Sequence, residues 1–216
     1  DGGKNWEYQE TGIRYELSRV YFVDENTGWI IGDKRTILAT TDGGKTWNNM
    51  TKGANERHEL FYGQRLKTGD EELHSFILYD LCFTDAKNGW IAGDMGTILH
   101  TNDGGKTWKH QRGGPTKLPG GDSVLQGIYF VNNQVGWAVG EFGTIFHTTD
   151  GGTTWELQSS QSYLLSAVQF INDKIGYALG DRGEILYTND GGVNWNPQDS
   201  GTMECFGGTY FINDKM

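Results

Sequence analysis

One short phrase recurs down this chain: TTDGGKTW at Thr40–Trp47, TNDGGKTW at Thr101–Trp108, TTDGGTTW at Thr148–Trp155 and TNDGGVNW at Thr188–Trp195. A truncated copy, DGGKNW, stands at Asp1–Trp6. A phrase copied this faithfully marks a duplicated structural unit, and units of this kind stack on one another to build a shared core. Successive aspartates lie 41, 61, 47 and 40 residues apart, so the unit is near 40 residues and two connections are overlong.

Upstream of each phrase the copies align further. Phe22, Phe83, Phe130, Phe170 and Phe211 fall in one column, each followed by a polar turn. Then come GWIIG at Gly28–Gly32, GWIAG at Gly89–Gly93, GWAVG at Gly136–Gly140 and GYALG at Gly176–Gly180. A Gly-acidic turn and a short TIL-like segment lead into the phrase. Each unit therefore reads as four short strands separated by turn chemistry. Four antiparallel strands in about 40 residues predict a β-propeller blade; a solenoid is the second choice, since it also stacks repeats. The first strands (LYDLCF, LLSAVQF) lack clean polar/apolar alternation, as expected where stacked sheets bury both of their sides.

The phrase has its own mechanism. An Asp carboxylate can accept hydrogen bonds from the amides of its turn, Gly-Gly admits positive φ, and the Thr hydroxyl can close the loop. The Trp can lay a large ring over the hairpin. A carboxylate–threonine pair repeated in every unit is a poor candidate for unique chemistry. Asp42, Trp47, Asp103, Trp108, Asp150, Trp155, Asp190 and Trp195 are therefore read as structural.

Ser/Thr-x-Asp-x-Gly-x-Thr-Trp is the pattern of the Asp-box, or BNR repeat, and Thr148, Asp150, Gly152, Thr154 and Trp155 match it position by position. The last copy departs at Asn194. The longer unit, with its Phe, Gly-Trp and Gly-acidic columns, resembles the photosystem II assembly-factor propellers of the Ycf48/HCF136 type over essentially the whole chain. The resemblance implies an all-β fold of four-stranded antiparallel blades with Asp-box turns, with four full repeats and two partial ones belonging to a ring of about seven blades. It also implies a non-catalytic propeller that binds a protein partner, as an assembly or stability factor for a membrane protein complex. Export to the periplasm, the thylakoid lumen or the cell exterior is implied in the same way; no signal is present in the chain.

The repeats divide 1–216 into the end of a blade (1–15), blade repeats at 16–50, 76–110, 124–158 and 164–198, insertions at 51–75 and 111–123, and the start of a further blade at 204–216. This pattern, entered and left inside a unit, reads as a piece of a larger ring. The alternative is a reduced closing blade made from the two ends. An open ring leaves apolar blade faces uncovered and is expected to self-associate.

Bulk properties narrow the partners. Gly 33 and Trp 8 against Pro 3 suit many short strands and tight turns. The formal net charge of -10 argues against nonspecific nucleic-acid binding. No run reaches the ~18 apolar residues of a spanning helix. The two cysteines, Cys82 and Cys205, sit in apolar stretches of different repeats and are expected to be buried, reduced thiols. His58 and His74 share a loop, but no His or thiolate cluster has metal-ligand spacing, so no metal and no cofactor are expected. The sequon Asn49–Thr51 and a glycan ligand remain open.

Specificity should lie where the copies differ. Turns after the second and fourth strands share one face of a propeller, and both insertions fall there. The first insertion interleaves Arg57, His58, Phe61, Tyr62 and Arg65, and the second region adds His110, Arg112 and Lys117. Together they form the candidate partner-binding set, because clustered aromatic and cationic side chains are what binding hot spots use. On the inner strands, Arg19 and Asp80 share a column and are expected to pair between blades. The rival function is a glycosidase, since sialidases and xyloglucanase-like hydrolases also carry Asp-boxes. Such chemistry needs two poised carboxyl groups. Asp33, Asp94, Glu141 and Asp181 lie on the right face, yet each is its own blade's copy of one turn residue, and GIRYEL around Arg14 is no sialidase Arg-Ile-Pro segment. A sortilin-like receptor propeller finds no echo in the cysteine count.

Overall fold

The computed structural model describes residues 4–51, 76–112, 123–159 and 163–208. They form sixteen strands in four separate four-stranded antiparallel sheets, each a simple meander in chain order. The first blade holds β1 (Leu17–Phe22), β2 (Gly28–Gly32), β3 (Ile37–Thr40) and β4 (Asn48–Asn49). The second holds β5 (Leu78–Phe83), β6 (Gly89–Gly93), β7 (Thr97–Thr101) and β8 (Lys109–Arg112). The third holds β9 (Leu125–Phe130), β10 (Gly136–Gly140), β11 (Ile145–Thr148) and β12 (Glu156–Ser159). The fourth holds β13 (Leu165–Phe170), β14 (Gly176–Gly180), β15 (Ile185–Thr188) and β16 (Asn196–Gln198). This is the propeller arrangement expected from the repeat.

The register repeats from blade to blade. Phe22 faces Gly28 across the first hairpin, and Phe83–Gly89, Phe130–Gly136 and Phe170–Gly176 follow suit. The glycine is required because the Phe ring lies where a Cβ would go: one built on Gly89 would sit 2.4 Å from the Phe83 ring.

The core lies between sheets, not within them. One cluster joins Trp29, Ile31 and Ile37 of the first blade to Leu78, Leu81 and Phe83 of the second. Trp90 and Ile98 meet Leu125, Ile128 and Phe130 in the next, and Trp137 and Ile145 meet Leu165, Val168 and Phe170 in the third. Each interface repeats one motif. The indole of a second strand stacks on the Phe that ends the next blade's first strand, with ring centroids 3.5 Å apart for Trp29–Phe83, 3.7 Å for Trp90–Phe130 and 3.4 Å for Trp137–Phe170. The next blade's Asp-box Trp closes edge-on over the same Phe, as in Phe83–Trp108, Phe130–Trp155 and Phe170–Trp195. The indole N–H then donates to the first Asp-box glycine: Trp29 to Gly104 O (3.1 Å), Trp90 to Gly151 O (3.1 Å) and Trp137 to Gly191 O (3.3 Å). Gln111 and Gln158 donate to the same Gly151 and Gly191 carbonyls, at 2.7 and 3.2 Å.

Residues 201–208 dock on the fourth blade as an inner strand would. The Gly183 N–H donates to Glu204 O and the Phe206 N–H to Gly180 O, and the Ser166 hydroxyl bonds Phe206 O. These contacts reproduce Arg35 N–H to Phe76 O and the Ser18 hydroxyl to Leu78 O between the first two blades. One expectation is corrected here. Cys82 is buried, but Cys205 is exposed, because no sheet among the described residues covers the outer side of this segment. His100 and His147 are half-buried; their rings stack on Trp90 and Trp137, and burial lowers both pKa values.

Candidate functional site

The Asp-boxes mark one face and close on themselves. In the third copy the Thr148 hydroxyl accepts the Gly152 amide (2.8 Å) and donates to Asp150 Oδ1 (2.9 Å). Asp150 in turn receives the Thr154 amide and hydroxyl, at 2.8 and 2.7 Å. The first copy is built alike, and the Thr46 hydroxyl, then the Thr46 amide and the Thr40 hydroxyl, hold Asp42 at about 2. Asn194 serves as Thr does, its amide nitrogen reaching Asp190 Oδ2 at 2.7 Å. Each box is also pinned to the turn after the first strand, through Gly43 N–H to Asn26 O, Gly104 to Lys87 O, Gly151 to Gln134 O and Gly191 to Lys174 O. The aspartates and the opening threonines thus find their partners within the loop, whereas the indole nitrogens of Trp47, Trp108, Trp155 and Trp195 are buried without a hydrogen-bond partner among the described residues.

The opposite face is organised by the Gly-acidic turns at Asp33–Arg35, Asp94–Gly96, Glu141–Gly143 and Asp181–Gly183. Their amides hold the entry to the first strand: Asp33 N–H donates to Glu16 O, Asp94 to Ile77 O, Glu141 to Val124 O and Asp181 to Leu164 O. Three of the carboxylates also accept backbone amides, Asp94 from Ile77 (2.8 Å), Glu141 from Val124 (3.1 Å) and Asp33 from Lys34 (2.6 Å). They bracket the chain where it enters each first strand. Burial raises the pKa of Asp94, aided by the charges of Glu141 and Asp33, against the Ile77 and Tyr79 hydrogen bonds. Burial and the same three carboxylates push the Tyr79 phenol up to about 12.

The residue after each acid projects from this face in a left-handed conformation: Lys34, Met95, Phe142 and Arg182, with φ between 52° and 57°. That conformation costs a non-glycine residue on the order of 1 kcal/mol. Only the variability of these positions from copy to copy hints at the tips in the sequence. The cations around them rest on rings, Lys34 over Tyr15 (4.5 Å), Arg35 over Phe76 (4.9 Å) and Arg182 over Tyr163 (5.4 Å). Phe142 stands largely exposed.

Of the candidate partner-binding residues, His110 and Arg112 lie on β8, opposite Leu99 and Ile98. The Arg112 guanidinium is half-buried 3.8 Å over the Phe146 ring of the next blade, and burial lowers its pKa. Arg57, His58, Phe61, Tyr62, Arg65 and Lys117 lie outside the described residues. Arg19 and Asp80 do pair, Nε to Oδ1 at 3.0 Å, and Asp80 Oδ2 accepts the Ile128 amide at 3.0 Å, so one carboxylate ties three blades. No group of three or more His, Cys, Asp or Glu side chains fit for a metal occurs among the described residues. No helix among them is long and apolar enough to cross a membrane.

Stacked four-stranded blades with self-closed Asp-boxes and carboxylates tied to backbone define an Asp-box β-propeller. The family model described as photosynthesis system II assembly factor YCF48 matches residues 2–72 and 64–162, and the chain belongs to that family. It is 35% identical over 101 residues to the photosystem II assembly lipoprotein Ycf48 of Synechococcus sp. (strain CC9902), a match covering 47% of this chain and 25% of that protein. To the chloroplastic photosystem II stability/assembly factor HCF136 of Oryza sativa subsp. japonica it is 28% identical over 86 residues, covering 40% and 17%. The chain thus spans well under two thirds of these relatives. Among solved structures, YCF48 bound to D1 peptide superposes with a TM-score of 0.53 at 19% identity, over 88% of this chain and 69% of that one. The Niastella koreensis GH74 enzyme reaches 0.58 at 14% identity, over 84% and 30%, a likeness of fold alone.

Proposed function

We propose that this chain is a non-catalytic propeller segment that binds a protein partner during assembly or stabilisation of a membrane complex, in an extracytoplasmic compartment. The family match over residues 2–162 carries this reading. The names of the relatives support it, since they are called assembly factors, lipoprotein or chloroplastic. The partner surface is the face of the Gly-acidic turns and the two insertions, with Arg57, His58, Phe61, Tyr62, Arg65, His110, Arg112 and Lys117 as its contact residues. The glycosidase reading is weaker, because Asp33, Asp94 and Glu141 are engaged by backbone amides. A labelled D1 peptide is the natural probe, as one is bound in the solved YCF48 structure. Saturable binding, lost in an Arg57→Ala/Arg65→Ala/Arg112→Ala variant, is expected. Absence of binding to either protein defeats the peptide-binding reading, and equal binding to both defeats the proposed face.

A further inference from the structure

Two of the three blade junctions carry a stitch that the other lacks. The third residue after each Asp-box Trp is Met50, Gln111, Gln158 and Gln198 in turn. On β8 and β12 this residue falls in a bulge, between the pairs Leu99–His110 and Ile98–Arg112 in one sheet and Phe146–Leu157 and Ile145–Ser159 in the other. An extra residue of this kind re-aims its side chain. Gln111 and Gln158 thereby reach the next blade and join an indole on one carbonyl: Gly151 O accepts from Gln111 and Trp90, and Gly191 O from Gln158 and Trp137. Each amide also covers the second Asp-box glycine, so that a Cβ on Gly152 or Gly192 would strike the glutamine oxygen. Between the first and second blades the equivalent residue is Met50, which packs against the apolar cluster there and offers no side-chain donor. Trp29 is the one side chain among the described residues that donates to Gly104 O, and the atoms nearest to a Cβ on Gly105 belong to the Trp29 and Trp108 rings.

We propose that the junction of the first and second blades is a hinge built into the fold, held on the side of the inner strands and free to part on the side of the outer ones. Directional contacts tie the inner side: the Tyr21 hydroxyl donates to Phe83 O (2.9 Å), the Ser18 hydroxyl donates to Leu78 O, and Arg19 pairs with Asp80 (3.0 Å). The outer side rests on Met50, a flexible thioether whose contacts have no preferred direction. It can slide without leaving a buried donor unpaired, which a glutamine amide cannot do. Of the side-chain hydrogen bonds to the Asp-box carbonyl, parting breaks one at this junction and two at each of the others.

The test is hydrogen exchange of the three indole N–H groups that cross the junctions, followed by nitrogen-15 NMR on the 216-residue chain. Trp29, Trp90 and Trp137 are 1%, 0% and 0% exposed, so exchange at each reports local opening and not static exposure. Trp29 should exchange at least about threefold faster than the other two, the effect of one net hydrogen bond fewer. Met50→Gln should slow Trp29 to the pace of Trp90. Gln111→Met should speed Trp90 to the pace of Trp29, with Trp137 unmoved in both variants. Gln158→Met, read at Trp137, repeats the experiment on the third junction should either variant fail to fold. Equal rates for the three indoles in the unchanged chain overturn the hinge. So does a fast Trp29 that stays fast in Met50→Gln, because the first blade would then fray as a whole.

Discussion

The first blade and the second share the fixed positions of the repeat and the same four-stranded sheet, yet β1 is mostly exposed and β5 almost wholly buried. Phe22 and Phe83 occupy one repeat column, face equivalent glycines and meet equivalent Asp-box tryptophans. The difference is the indole arriving from outside the sheet, present as Trp29 for Phe83. A blade of this kind therefore makes its own hairpins and Asp-box locally but borrows its core from a neighbour. Secondary structure here lives within a repeat, and most apolar burial lives between repeats, as in other stacked-repeat proteins.

The sharpest way to break that contrast is to truncate both phenylalanines. Phe83→Ala should cost about 3–5 kcal/mol, as for other fully buried large-to-small changes, while Phe22→Ala should cost about 1 kcal/mol or less. Chemical denaturation monitored by tryptophan fluorescence checks both. Equal losses would mean that Phe22 is covered in solution, and that the two blades do not differ as described.

What the sequence made legible follows the same division. The Asp phrase, the Gly-Trp strands and the four-strand unit were readable because they are local and repeated, down to Asn194 standing in for Thr. The Arg19–Asp80 pair was readable as a column coincidence, but its third partner, the Ile128 amide, is backbone and leaves no mark in side-chain pattern. Arg112 reads from the sequence as part of the partner-binding set; the structure also lays it on Phe146, 34 residues on, a contact set by blade stacking that no local pattern encodes. Cys205 was misjudged for the same reason, since an apolar stretch is buried only where a neighbouring sheet reaches it. The left-handed tips at Lys34, Met95, Phe142 and Arg182 carry neither Gly nor Asn, the residues that announce that conformation.

Asp80 tests the junction of the first three blades by pH. Burial, partly offset by Arg19, raises its pKa to about 6. Because the folded state holds the proton more tightly than the unfolded chain, whose carboxyl titrates near ~3.9, stability falls as pH rises through the window from about 4 to 6. A shift of this size corresponds to on the order of 3 kcal/mol across that window. Asp80→Asn should flatten this limb, because the neutral amide has no proton to gain or lose between about pH 4 and pH 6. Thermal denaturation of both proteins between pH 4 and pH 7 is the measurement, and an unchanged slope would show that Asp80 is not the group responsible. Below this window the Asp-boxes act oppositely. Asp42, held at about 2 by its threonines, contributes stability that is present above the unfolded carboxyl pKa and lost as pH falls toward 2.

The smallest effect asks whether the Asp-box is as local as its hydrogen bonds imply. Thr40 and Thr148 are both buried, and each hydroxyl bonds a glycine amide and an aspartate of its own loop. Thr40→Ala leaves those groups with one partner fewer, as does Thr148→Ala, so each should cost about 1–2 kcal/mol. The two losses should agree to within about 0.5 kcal/mol, because each hydroxyl makes the same set of hydrogen bonds within its own loop. That equality across an open blade and a sandwiched one, beside a severalfold inequality for Phe22 and Phe83, separates energy held in the loop from energy held between blades. If Thr40→Ala proves much milder than Thr148→Ala, the box draws its stability from the stacked neighbour, and the first blade's turns are weakened along with its face.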